Sequence, residues 1–217
     1  MAMKIKLIIF DLDGTLVNSS VDITNALNYA VEPYGLEKLT VERTISLVGE
    51  GVTRLIEKLL GEKWAALKNA VLERFLEHYS QHLTDFTAPY PGVPETLEQL
   101  VNYRMAVISN KREDLSRRLL ENLGLAGYFE IIWGSDSVSE KKPSPVPVLE
   151  MLKKVSCGPH EAVLVGDSNY DIEAGKAAGV RTVAVSYGFR DVRLLQDADF
   201  VIDSMRELTS NPGILNV

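Results

Sequence analysis

The sequence predicts a three-layer α/β fold: a doubly wound parallel sheet with helices on both faces, and an all-helical domain inserted after its first strand. Three observations lead there. Short, fully apolar runs of strand length recur along the chain, as expected of strands covered on both faces of a parallel sheet. Segments of helical periodicity separate most of the later runs. One long stretch, residues 17–86, breaks this rhythm with several helical patterns in succession and no convincing strand.

The first strand is expected at 7–10, an apolar run that Asp11 ends. The inserted stretch follows, with helices expected at 21–34, 41–47, 52–60 and 64–82, punctuated by Gly35, the Gly49-Glu50-Gly51 turn and Gly61. Pro89, Pro91, Gly92 and Pro94 then form a stiff, turn-rich return. The chain leaving through 16–20 and returning through 86–91 predicts a two-stranded hinge. It divides the protein into a core domain of residues 1–16 and 87–217 and a helical cap domain of residues 17–86. Such an insertion could simply bury core surface, but one placed directly after Asp11-Leu12-Asp13-Gly14-Thr15 hangs over that loop as a lid. In the core, strands expected at 105–109, 131–133, 162–165, 182–185 and 200–202 follow or alternate with helices at 93–101, 115–123, 146–155 and 171–178. Right-handed crossovers would wind these into three layers, and the loops at the carboxyl ends of the strands are where such a sheet carries its chemistry.

Composition narrows the function classes. The 217 residues are 46% hydrophobic and 24% charged, as in an ordinary globular protein, and 30 acidic against 23 basic residues leave a net charge of −7. An acidic chain offers no basic footprint for nucleic acid or an anionic membrane, so a phosphorylated ligand would need a local cation. The lone Cys157 excludes an internal disulfide and lies outside any recognisable nucleophile context. The apolar run after Lys4 and Lys6 is cut by Asp11 far below the length of an export signal, and no apolar stretch is long enough to span a bilayer. The expectation is a reduced, soluble, cytoplasmic protein acting on a small molecule; no pattern in the chain specifies an oligomeric state.

Four polar loops stand at expected strand ends. In Asp11-Leu12-Asp13-Gly14-Thr15, alternation along an extended chain lets Asp11 and Asp13 face one site while Leu12 turns into the core, although a strand followed by an Asp/Gly turn is common. Ser109-Asn110-Lys111 combines a hydroxyl, an amide and helix-start N–H groups into a cradle for phosphate oxygens, or merely caps a helix. In the run from Lys141 to Pro147, Pro143 holds Lys142 extended and gives a dianion one fixed ammonium, unless the run is a solvated loop or a linker. Gly166-Asp167-Ser168-Asn169-Tyr170-Asp171 puts two carboxylates four residues apart at a helix start, where they either meet a common cation or serve as cap and first-turn acid.

Taken together these loops resemble the four motifs of the haloacid dehalogenase superfamily, in particular its helical-capped phosphatases near the phosphoglycolate phosphatase branch. Asp11-Leu12-Asp13-Gly14-Thr15 is similar to the nucleophile loop, Ser109 to the second-motif hydroxyl, Lys142 before Pro143 to the third-motif lysine, and Gly166-Asp167-Ser168 with Asp171 to the acidic fourth motif. The resemblance spans nearly the whole chain. It implies a Rossmann-like core, a mobile cap whose Gly49-Glu50-Gly51 turn resembles a substrate-specificity loop, and Mg²⁺-dependent attack by an aspartate on phosphorus. It also implies Asp11, the Asp13 backbone carbonyl and Asp167 as metal ligands, Ser109, Asn110 and Lys142 as phosphate contacts, and Asp171 as a supporting residue.

Charge makes that assignment coherent. Asp11, Asp13, Asp167 and Asp171 crowd one cleft, and Coulomb repulsion opposes them unless cations join or a proton is retained. A divalent ion and Lys142 still leave one excess negative charge, which makes Asp13 the candidate to keep a proton. In the implied mechanism Asp11 attacks phosphorus in line, Asp13 protonates the departing alkoxide, and the same Asp13 then activates the water that cleaves the aspartyl-phosphate. Lys111 or a cap cation such as Arg54 could meet a substrate carboxylate, although a solvated lysine or arginine is the commoner case. A phosphomutase or pyrophosphatase of the same superfamily, and a phosphorylatable receiver-like switch, remain alternatives. Among substrates, phosphoglycolate stands ahead of pyrophosphate and sugar phosphates.

Overall fold

The computed structural model describes residues 5–215; residues 1–4, Lys4 included, and 216–217 of the expected core segment lie outside the described residues. The central sheet has six parallel strands, β1 (Leu7–Phe10), β4 (Arg104–Ile108), β5 (Ile131–Trp133), β6 (Ala162–Gly166), β7 (Arg181–Val185) and β8 (Phe200–Ile202), in the order β5-β4-β1-β6-β7-β8. Two further strands, β2 (Val17–Asn18) and β3 (Ala88–Pro89), pair with each other alone. Strand alternation divides the sheet's side chains between two apolar layers. Ile8, Phe10, Val107 and Val163 pack on one face with Val93 and Leu97 of α5 (Val93–Gln99) and Leu119 and Leu120 of α6 (Glu113–Asn122). Leu7, Ile9, Ala106 and Leu164 pack on the other with Val148, Met151 and Leu152 of α7 (Val146–Val155) and Ala174 and Ala178 of α8 (Asn169–Ala178). The doubly wound three-layer architecture is thereby present, and its strand order reverses beside β1.

The inserted stretch folds as α1 (Ser20–Val31), α2 (Val41–Leu47), α3 (Val52–Leu60) and α4 (Lys68–Gln81) around a second apolar cluster that includes Ala26, Leu27, Ile56, Val71, Phe75 and Tyr79 and takes in Leu115 of α6. Two expected helices are shorter than the periodicity suggested. Pro33 has no N–H to donate, so α1 gives way to a 3₁₀ turn at Glu32–Tyr34. A second 3₁₀ turn at Ala65–Leu67 precedes α4, where a single helix over 64–82 was expected.

The expected two-stranded hinge is a paired ladder whose first strand takes up the opening residues of this stretch, where no strand was expected. Where the chain leaves the core and returns, β2 and β3 form a two-residue antiparallel ladder, Val17 opposite Pro89 and Asn18 opposite Ala88, too short to leave a period in the sequence. Asp22 of α1 fastens this neck. Buried at 2% exposure, it accepts the N–H of Phe86 at 3.0 Å, the N–H of Thr87 at 2.8 Å and the Thr87 hydroxyl at 2.7 Å. Cys157 lies half-buried, its thiol pushed up by burial. Among the described residues no helix is long and apolar enough to cross a membrane.

Asp22→Ala strands two backbone N–H groups at the neck without acceptors. It should cost about 3 kcal/mol in urea-induced unfolding; a loss within error of zero would show that the neck does not depend on this carboxylate.

Candidate active site

β1, β4 and β6 are neighbours in the sheet, so the loops leaving their carboxyl ends meet above it. Lys142 stands at the centre, 2% exposed, from the loop before α7. Its ammonium donates to Asp11 Oδ1 at 2.8 Å, Asp171 Oδ1 at 2.6 Å and the Ile108 carbonyl at 2.6 Å, which occupies all three of its hydrogens. Burial works against that charge, but Asp11 and Asp171 more than offset it and hold the Lys142 pKa above its ordinary value.

Carboxylate oxygens of Asp11, Asp167 and Asp171 lie within 4.8 Å of one another, all buried. Burial raises the Asp11 pKa to about 7 against the pull of Lys142, and burial together with the Asp11 and Asp171 charges pushes Asp167 well above the carboxylate range. The backbone around Asp167 is pared to glycine. A Cβ on Gly14, which has φ +88°, would come within 2.2 Å of Asp167 Oδ2, and one on Gly188 within 2.2 Å of Asp167 Cβ. The Phe189 N–H then holds Asp167 Oδ2 at 2.6 Å. Asp171 is fixed from below: its Oδ2 accepts from the Ser168 N–H at 3.1 Å and hydroxyl at 2.6 Å, the capping box that starts α8 at Asn169 rather than at 171.

The remaining expected residues line the same cavity, Asp13, Ser109 and Asn110 among them, beneath Val48, Val52, Leu55 and Phe75 of the cap. Leu12 is fully buried, as the alternation required. Asp13 stays outside the carboxylate group; its Oδ1 accepts from Ser19 Oγ at 2.5 Å and Lys111 Nζ at 2.6 Å. Asn110 differs from its expected role. Its side-chain amide donates to the Gly49 carbonyl of the cap at 2.8 Å and to the Lys142 carbonyl at 2.9 Å, so both hydrogens bind protein rather than pointing at a phosphate. Lys111 is corrected outright: it is not a solvated lysine. Its side chain is 7% exposed, ion-paired with Asp13 and bonded to the Tyr79 hydroxyl at 2.7 Å. Arg54 does lie at the surface, on Glu50 and Glu57.

Sequence reasoning missed the groups that grip the cap turn. Arg190 donates to the Ile45 and Val48 carbonyls, the Tyr170 hydroxyl to Glu50 at 2.8 Å, and Lys141 to the Glu50 carbonyl. Tyr79, from α4, contributes the corresponding contact on the cap side. Gly188-Phe189-Arg190 follows β7, so the rule that strand-end loops carry function could have singled it out; Tyr79 carries no such signal.

Residues 8–185 match the family model described as haloacid dehalogenase-like hydrolase. The chain is 42% identical over 186 residues to a phosphoglycolate phosphatase of Aquifex aeolicus, covering 85% of this chain and 86% of that one. It is 40% identical over 211 residues to a phosphoglycolate phosphatase of Chromobacterium violaceum, covering 94% and 95%. The crystal structure of a predicted phosphoglycolate phosphatase from Haemophilus somnus superposes with a TM-score of 0.89 at 29% identity, covering 95% of this chain and 97% of that one. The chain belongs to the haloacid dehalogenase-like hydrolase family. Within that family it is a phosphoric monoester hydrolase.

Because Asp167 sits against Gly188, Gly188→Ala must displace it. Phosphatase turnover should fall by roughly 100-fold or more, since a misplacement of about 1 Å within a site suffices for that. Unchanged turnover in a folded variant would show that the backbone at 188 does not set the position of Asp167.

Proposed function

We propose that the chain hydrolyses small phosphate monoesters with Mg²⁺ through an aspartyl-phosphate on Asp11, and that 2-phosphoglycolate is its preferred substrate. One observation carries this reading: a buried aspartate held on a fixed ammonium, with two further buried carboxylates within 4.8 Å. The relatives named as phosphoglycolate phosphatases support the substrate.

The donor set fits a hard divalent cation. Three buried carboxylates are an all-oxygen site, and the raised pKa values of Asp11 and Asp167 mark a cluster short of positive charge. Asp11, Asp167 and the Asp13 carbonyl would hold Mg²⁺, which supplies charge neutralisation at the transferring phosphoryl oxygens. Lys142 orients Asp11 for in-line attack and Asp171 positions Lys142. Ser109 meets the phosphoryl group. Asp13 delivers the proton to the leaving oxygen and afterwards takes one from the attacking water, the same group serving in both directions. Lys111 changes the expected charge balance: with its ammonium on Asp13, the cavity gains a positive charge that composition alone did not reveal. The apolar cap wall excludes water from the reaction.

Asp11→Asn should abolish turnover and leave the circular dichroism spectrum intact; near-normal activity would remove Asp11 as nucleophile. Asp13→Asn should lose far more activity on alkyl phosphates than on p-nitrophenyl phosphate, whose leaving group needs no proton. Equal losses would contradict the acid role.

The raised carboxylates also set a pH dependence. Between the ordinary carboxylate range and about pH 7 the metal-free folded chain binds more protons at Asp11 and Asp167 than the unfolded chain, so these groups lower stability as pH rises. A cation replaces those protons. The Mg²⁺-induced rise in Tm should therefore be larger at about pH 8 than at about pH 5; equal increments would contradict the shared site.

A further inference from the structure

Lys111 and Lys142 line the same cavity and are differently employed. Lys142 has all its hydrogens committed to Asp11, Asp171 and the Ile108 carbonyl. Lys111, its side chain also largely enclosed, has two partners among the described residues, Asp13 Oδ1 at 2.6 Å and the Tyr79 hydroxyl at 2.7 Å, which leaves one ammonium hydrogen for a ligand. The other cations on the wall are engaged elsewhere: Arg190 on cap carbonyls, Arg112 on Asp114. Phe75 and Leu115, which share an apolar cluster with Tyr79, line the same cavity.

We propose that Lys111 is the specificity-determining residue of this site: it binds a carboxylate carried on the carbon next to the phosphoester oxygen, and Tyr79 positions it from the cap. The proposal rests on the phosphatase reading above, and in particular on Asp13 serving the leaving oxygen. A group one hydrogen bond from Asp13 is then within reach of whatever the adjoining carbon carries. In a 2-phosphoxy carboxylate that substituent is a second anion; in a sugar phosphate it is neutral and leaves the ammonium unanswered. Because Tyr79 belongs to α4, the subsite is complete only with the cap against the core, so a carboxylate on Lys111 also favours closure. Arg54, the other cation considered for this role, pairs with Glu50 and Glu57 at the surface instead.

The test compares the wild type with Lys111→Met, Lys111→Arg and Tyr79→Phe. For kcat/KM the substrates are 2-phosphoglycolate and its neutral counterpart, 2-hydroxyethyl phosphate. The wild type should favour phosphoglycolate by roughly 100-fold, the scale of a buried charge pair, and Lys111→Met should reduce that ratio at least tenfold. Lys111→Arg should restore part of it. Tyr79→Phe, which keeps the ammonium and the ring, should raise KM for phosphoglycolate more than for the neutral ester. Rates that fall equally on both esters in Lys111→Met would overturn the proposal by reducing Lys111 to a prop for Asp13, and so would a wild type that prefers pyrophosphate. A calorimetric arm is independent of turnover. With Mg²⁺ present, the wild type should bind 3-phosphonopropionate more tightly than propylphosphonate, and Lys111→Met should bind them alike. Equal affinities in the wild type would overturn carboxylate selection even if hydrolysis proceeds, whereas the absence of hydrolysis on every ester would count against the phosphatase reading alone.

Discussion

Three aspartates gathered out of water around one ammonium are the constraint from which the rest of this structure follows. Mutual repulsion and desolvation both oppose the cluster: repulsion in a low-dielectric site is worth several times its value in water, and removing each charge from water adds its own cost. Lys142 answers part of that cost by binding Asp11 and Asp171 together, with the Ile108 carbonyl as its third acceptor. The remainder shows in the carboxyl groups themselves: Asp11 sits near neutrality and Asp167 above the carboxylate range, both because burial penalises their charge. A site in this condition favours added positive charge.

The fold delivers the cluster through the sheet's switch point. β1 lies between β4 and β6, so the loops carrying Asp11, Ser109 and Asp167 emerge side by side without any long excursion. The inserted helices close the cavity from above. Their grip on the core includes separate hydrogen bonds, from Asn110, Lys141, Tyr170 and Arg190 to the turn around Gly49 and Glu50. Each such bond contributes about 1 kcal/mol net because water competes for the same groups. Apolar contact joins the two parts as well, because Leu115 of α6 belongs to the cluster that the cap helices form.

Most of this was legible in the sequence, for reasons that differ from element to element. The core strands are short and mainly apolar, and β1, β4 and β6 run at once into Asp11, Ser109 and Asp167, so both the sheet and the loops above it could be read from local pattern. Asp11, Lys142, Asp167 and Asp171 stand out because each follows a strand, precedes a helix or lies in a helix's first turn in a way that alternation and capping explain. Lys111 could not be read. Its burial depends on Asp13, 98 positions away, and Tyr79, 32 positions away, and a lysine beside a helix start looks the same whether or not it is covered. The hinge was legible from where the chain leaves the sheet and returns, but its pairing was not, because a ladder of two residues has no period; Asn110 escaped because its partners are backbone carbonyls, which have no side-chain signature.

The central claim is that the carboxylates of positions 11 and 167 share one divalent cation. Crystals grown with Mn²⁺ in place of Mg²⁺ and measured at the manganese absorption edge address it directly. The account predicts a single strong anomalous peak bonded to Asp11 and Asp167. A peak elsewhere, or those two carboxylates turned apart with no ion between them, would contradict it.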